Sequence, residues 1–140
     1  MAPGLRVTIR QVGPSTGEGS VRGHTVRVDR PVEKGGSDQG PMGGELMLIG
    51  LGGCFLSNLL AAARERGEPV TGVEVEISAG VAGPPTRYTD IEIRVKAEGV
   101  EPDRLARLAS IAERGCIATA TLRAGSPITV LQEGAPAART

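Results

Sequence analysis

The chain has 140 residues, enough for one domain with a sizeable core. Sixteen Lys and Arg balance sixteen Asp and Glu, and one Phe, one Tyr and no Trp leave neither a basic stripe nor an aromatic platform, which argues against a dedicated nucleic-acid binder. A core built from Val, Ile, Leu, Ala and Met alone buries modestly per chain, so an oligomer is the expectation.

Met1 to Arg6 shows no basic region followed by an apolar core, so no secretory signal is expected and a reducing, cytoplasmic location follows as the default. Leu5 to Val12 alternates and predicts a first strand. Gly13 to Gly19 carries turn chemistry. Val21 to Asp29 resumes the alternation, with Val26 and Val28 on one side and Arg27 and Asp29 on the other, and Pro31 ends it. These two strands predict an antiparallel meander.

Gly35 to Gly44 reads as a loop, and Glu45 to Arg66 as a long apolar helix closed by Gly67 and Pro69. The run Leu46 to Ala63 approaches membrane-spanning length, but it carries Gly50, Gly52, Gly53, Ser57 and Asn58. It therefore reads as a buried central helix with no membrane partner. Val70 to Val81 and Thr89 to Ala97 alternate on either side of a Gly83-Pro84-Pro85 turn. They predict a hairpin whose wet face holds Glu74, Glu76, Glu92, Arg94 and Lys96.

Pro102 at a first-turn position, then Leu105, Leu108, Ile111 and Ala112 at helical spacing, predict an amphipathic helix ending at Gly115. Cys116 to Leu122 fits a further helical turn, and Pro127 to Gln132 a last strand. The fold class is α+β, with residues 1–132 as one domain and 133–140 as a disordered tail.

With one His and no Trp, the chain has few means of doing chemistry, and Cys54 and Cys116 are the first candidates. Their bland reading is two small buried hydrophobes. Two Cys and one His do not make a zinc pattern, and Gly35-Gly36 does not open a helix after a strand. No metal and no cofactor are expected. His24 reads as a strand-surface or turn residue.

The run Gly35-Gly36-Ser37-Asp38-Gln39-Gly40-Pro41, followed by Glu45-Leu46-Met47-Leu48-Ile49-Gly50-Leu51-Gly52-Gly53-Cys54, resembles the OsmC/Ohr family. The second half agrees: a helix leads to Cys116-Ile117-Ala118-Thr119-Ala120-Thr121-Leu122, then a final strand. The resemblance spans Leu5 to Leu131. It implies an OsmC-like fold, antiparallel sheets around two long central helices, in an intertwined homodimer with its active sites at the subunit interface. It also implies thiol-dependent reduction of organic hydroperoxides, with Cys54 as nucleophile and Cys116 as resolving thiol, an external dithiol restoring both.

A peroxidatic cysteine has to react as its thiolate. Cys54 lies about nine residues into the helix, beyond the reach of the N-terminal dipole, so a cation is needed. Resemblance to the hydroperoxide reductases of the family implies an Arg from the N-terminal strands, oriented by a Glu ten residues before the cysteine. That position is Gly44 here, and Glu45 stands nine before, as in a less characterised OsmC-like branch. Arg22, Arg27 and Arg30 are the candidate cations, Arg22 first because it follows the early turn, and each also reads as a surface charge. Glu45 reads equally as a first-turn carboxylate favoured by the dipole. Leu51, Phe55 and Leu59 would favour alkyl or lipid-like peroxides. The alternative function is a non-catalytic relative that binds a small hydrophobic ligand or senses oxidation through the same cysteines.

Overall fold

A computed structural model describes residues 4–134. The N-terminal part is a three-stranded antiparallel sheet in the order β1 (Thr8–Gln11), β2 (Gly17–Val21), β3 (His24–Val28). The sequence suggested two strands here, and the glycines of Gly13 to Gly19 explain the miss. A Cβ on Gly17 would stand 3.0 Å from Ile9 Cγ2, so Gly17 is a close-approach residue of a central strand and not a turn residue. The tight reversal lies later, at Arg22-Gly23, where both φ angles are positive (50° and 83°). Two such residues give the hairpin turn that matches strand twist.

Alternation also misplaced Asp29. The strand stops at Val28, and Asp29 is 3 % exposed. Its carboxylate accepts the Thr16 hydroxyl at 2.7 Å and the amides of Arg30 (2.7 Å), Gln39 (3.2 Å) and Ser37 (3.4 Å). The Thr16 hydrogen bond, against opposition from burial, holds this carboxyl well below the usual range. Asp29 thereby ties the loop after a short 3-10 turn (Val32–Lys34) to the sheet, and that loop delivers the chain into the long helix.

The helix α1 runs Gly43–Glu65. Leu51, Phe55, Leu59 and Ala62 recur at its 3.6-residue period and are buried. Glu45 Oε1 accepts the Met42 N–H at 2.8 Å and closes its first turn, and Gly67 (φ 63°) follows its end. The helix is long and apolar enough to cross a membrane by length and composition alone. One side of it nevertheless packs on protein, while Met47, Ile49 and Leu60 stay exposed.

Strands β4 (Thr71–Ala82) and β5 (Arg87–Glu98) form the expected hairpin. Val73, Val75 and Ile77 alternate inward and Glu74 pairs with Lys96 across the wet face at 3.0 Å. Then α2 (Pro102–Gly115) crosses α1, and an Arg104–Glu68 ion pair joins its first turn to the α1–β4 connection. A third helix, α3 (Ile117–Ala124), is longer than the single turn expected. The core joins α1, α2 and Cys116, with the inner face of the hairpin laid against it.

The last expected strand, Pro127 to Gln132, forms no strand and has no ladder partner among the described residues. A strand needs a neighbouring edge, and none is presented to this segment among the described residues. Its Ile128, Val130 and Leu131 are 87–89 % exposed. Of the expected tail, residues 135–140 lie outside the described residues.

Candidate functional site

Cys54 lies on the flank of the buried stripe of α1, three residues after Leu51 and four before Asn58. It is half-buried. Cys116 is 1 % exposed, in extended backbone (φ −80°, ψ 110°) between α2 and α3, where it is the N-cap residue of α3. Gly115 ends one helix, the extended Cys116 turns the chain, and its carbonyl accepts the Ala120 N–H at 3.0 Å to start the next. Packing of α1 on α2 and α3 sets Cys54 against the core cluster that holds Cys116. Both are free.

Burial pushes the Cys116 thiol up, yet its net displacement is downward. The Thr119 hydroxyl, the Thr119 and Ala118 amides and the Cys54 thiol together outweigh the burial. These are first-turn donors of α3, the geometry in which a helix start receives an anion. The Thr119 hydroxyl oxygen is buried and without a hydrogen-bond partner among the described residues, so a sulfur anion at Cys116 would be the acceptor this hydroxyl lacks. At Cys54, Asn58 Nδ2 stands 3.8 Å from the sulfur and donates to the Cys54 carbonyl at 2.9 Å.

Beside this pair lies a cavity of about 700 Å³ between β5, α2 and α3. Leu51, Phe55, Ile91, Ile93 and Leu122 give it apolar walls, and Tyr88, Ser110 and Thr119 give it polar points. Thr119 stands on the wall and also faces Cys116, so one side chain separates the cavity from that sulfur. Leu51 and Phe55 line the cavity as expected, whereas Leu59 is fully buried in the core.

The other site residues expected from the sequence lie elsewhere in the protomer. Glu45 is spent on the Met42 amide, nine residues and so about 13 Å along the helix axis from Cys54. Arg22 is exposed at the β2–β3 hairpin tip of the other sheet. Gly44, the position of the family's glutamate, is occupied from outside: a Cβ there would stand 2.5 Å from the Tyr88 hydroxyl. Sequence reasoning missed Asn58, Tyr88 and Thr119. For two of them the signal was present, an amide four residues after Cys54 and a hydroxyl three residues after Cys116.

The model for OsmC-like proteins matches residues 35–131, more than half the chain and both cysteines with it. The chain belongs to the OsmC-like protein family. Solved structures agree on the fold. The OsmC-like protein from Mycoplasma pneumoniae is similar at a TM-score of 0.75 and 15 % identity, covering 88 % of this chain and 89 % of that one. An organic hydroperoxide resistance protein from Elizabethkingia anophelis gives 0.64 and 19 %, with 86 % and 89 % covered. The organic hydroperoxide resistance protein OhrB of Bacillus subtilis gives 0.60 and 18 %, with 84 % and 90 % covered. Comparison with curated proteins finds no match. These structures thus share the fold of this chain.

Proposed function

We propose that this OsmC-like protein is a thiol-dependent peroxidase acting on organic hydroperoxides. Membership of a family whose structural relatives include organic hydroperoxide resistance proteins supports a peroxide-related redox role. The observation that carries the finer reading is the packing of both cysteine-bearing segments in one core, bridged by Asn58, with the Cys116 thiol lowered from its ordinary value by first-turn donors of α3.

In this reading the Cys54 thiolate attacks the distal oxygen of the hydroperoxide. The O–O bond breaks, Cys54 becomes a sulfenic acid, and the alkoxide takes up a proton and leaves as alcohol. The Cys116 thiolate then attacks the Cys54 sulfur, forming the disulfide and releasing hydroxide, which leaves as water. An external dithiol reduces the disulfide and is itself oxidised. The apolar cavity takes the organic part of the peroxide. The working form is a homodimer, which covers the exposed apolar side of α1 and the unpaired segment 127–132. Arg22 is the proposed cation for the Cys54 thiolate, delivered only once the dimer is assembled, and Glu45 sets the start of α1 beside it.

A second reading has one observation in its favour, the cavity itself: a pocket of this size also suits a small hydrophobic ligand held without turnover. Stopped-flow mixing of the reduced protein with cumene hydroperoxide separates the two. The peroxidase reading expects rapid oxidation, an inert Cys54→Ser, and a Cys116→Ser that halts at the sulfenic acid. Reaction of the wild type no faster than a free thiol would leave the binding reading.

A further inference from the structure

Asn58 has no part in the chemistry above, yet its carboxamide stands against both cysteine-bearing segments. It lies one helical turn after Cys54 and is half-buried. An amide in the middle of a helix ordinarily turns to solvent. This one turns back: Nδ2 is fixed by the Cys54 carbonyl at 2.9 Å and lies 3.8 Å from Cys54 Sγ. Its Oδ1 reaches across to the other segment, 3.2 Å from the point a Cβ would occupy on Gly115, the residue before Cys116. Gly115 has no positive φ to require glycine. The space needed by the Asn58 carboxamide gives a physical reason for glycine there.

We propose that Asn58 is a positioning residue for disulfide closure: a wedge that sets the Cys54 sulfur against the α2–α3 junction, with Gly115 as the gap it fills. The inference rests on the peroxidase reading only for the source of the oxidised sulfur. In closure, the Cys116 thiolate attacks the sulfur of the Cys54 sulfenic acid; the S–S bond forms, the S–O bond breaks, and the departing hydroxide gains a proton and leaves as water. An Asn58 N–H within reach of the sulfur lies where that departing oxygen needs a donor. The same geometry serves closure by any two-electron thiol oxidant, in which another leaving group replaces hydroxide.

The test uses reduced wild type, Asn58→Leu, the near-isosteric Asn58→Asp and Gly115→Ala. Each is mixed with cumene hydroperoxide and, separately, with diamide, which oxidises two thiols to a disulfide and is itself reduced to the hydrazine. Quenched samples are alkylated and weighed, and dimedone traps the sulfenic acid. Oxidation of the first thiol is expected within about three-fold of wild type, with closure about ten-fold slower or more in Asn58→Leu and Gly115→Ala, because small misplacements of reacting atoms act on rate at this scale. Asn58→Asp, which keeps the size and loses the donor, is expected between them and wild type. The dimedone adduct should accumulate in all three.

Closure at the wild-type rate in Asn58→Leu and Gly115→Ala with unchanged Tm would overturn the proposal. So would a wild type whose Cys54 and Cys116 close with neither oxidant. A wild type that closes with diamide but ignores cumene hydroperoxide would remove the peroxidase reading, and Asn58 would then be judged on the diamide arm alone.

Discussion

At the scale of single residues, Thr119 decides how Cys116 behaves. A thiol that is 1 % exposed should be held as the neutral form by burial, yet the first-turn donors reverse the sign. Thr119→Val keeps the shape and removes the hydroxyl while leaving the amides. Burial then regains ground, the Cys116 thiolate forms at higher pH than in wild type, and less of it is present near neutrality. The expected outcome is slower disulfide closure at neutral pH, recovered as pH rises, with sulfenic acid formation at Cys54 unaltered. Following closure against pH in wild type and Thr119→Val checks this, and superimposable profiles would remove Thr119 from the site. The buried oxygen of Thr119 is without a hydrogen-bond partner among the described residues, so Cys116→Ser, which supplies an acceptor, should be tolerated by the fold.

At the scale of elements, the start of α1 lies close against β5 at Gly44. A Cβ on Gly44 would stand 2.5 Å from the Tyr88 hydroxyl and 3.3 Å from its ring carbon Cζ. Gly44→Ala should therefore destabilise by about 1–3 kcal/mol through overpacking. In a Tyr88→Phe background most of that loss should disappear, because the 2.5 Å clash leaves with the hydroxyl. Thermal melts of the four proteins form the cycle, and additive effects would show that the two positions do not meet. A glutamate at position 44 meets the same obstacle, so it needs Tyr88 reduced as well. None of this was legible in the sequence, where Gly44 is one of 21 glycines and Tyr88 lies 44 residues away on another element. Periodicity did reveal β4, β5 and α2, because each has one face buried and one wet, while α1 was legible as a long apolar run. It failed for β2, whose Gly17 and Gly19 serve close packing against Ile9 and Val26, and for Asp29, which sits at a strand end and is held by loop amides. The cysteines stood out as residue types. The approach of Asn58 to Gly115 exists only once α1 meets the α2–α3 junction.

At the scale of the whole molecule, three apolar surfaces remain uncovered. Met47, Ile49 and Leu60 form the outer side of α1; Val7, Ile9 and Val26 are exposed on and beside the N-terminal sheet; Ile128, Val130 and Leu131 project from a segment without a ladder. Among the described residues the hairpin β4–β5 has two strands and no further strand on either edge, an arrangement of marginal stability alone. Uncovered apolar area of this kind implies a partner surface. A second copy of the chain answers all three needs together: helix against helix, sheet over helix, and an extended segment added to an open sheet edge. Light scattering on the purified protein should give twice 14.4 kDa at micromolar concentration. Replacing Ile128 and Val130 together by Asp should convert it to a monomer, or make its Tm fall on dilution where that of wild type does not. Because Arg22 is far from Cys54 in the chain and sits on the other sheet, the same double variant should also lose peroxide reactivity while Asn58, Thr119 and both thiols remain in place. A monomeric wild type, or a double variant that stays dimeric and active, would mean that the exposed segment is no part of the assembly. In that case the cation for Cys54 would have to be sought within one protomer, and the outer face of α1 would need another cover.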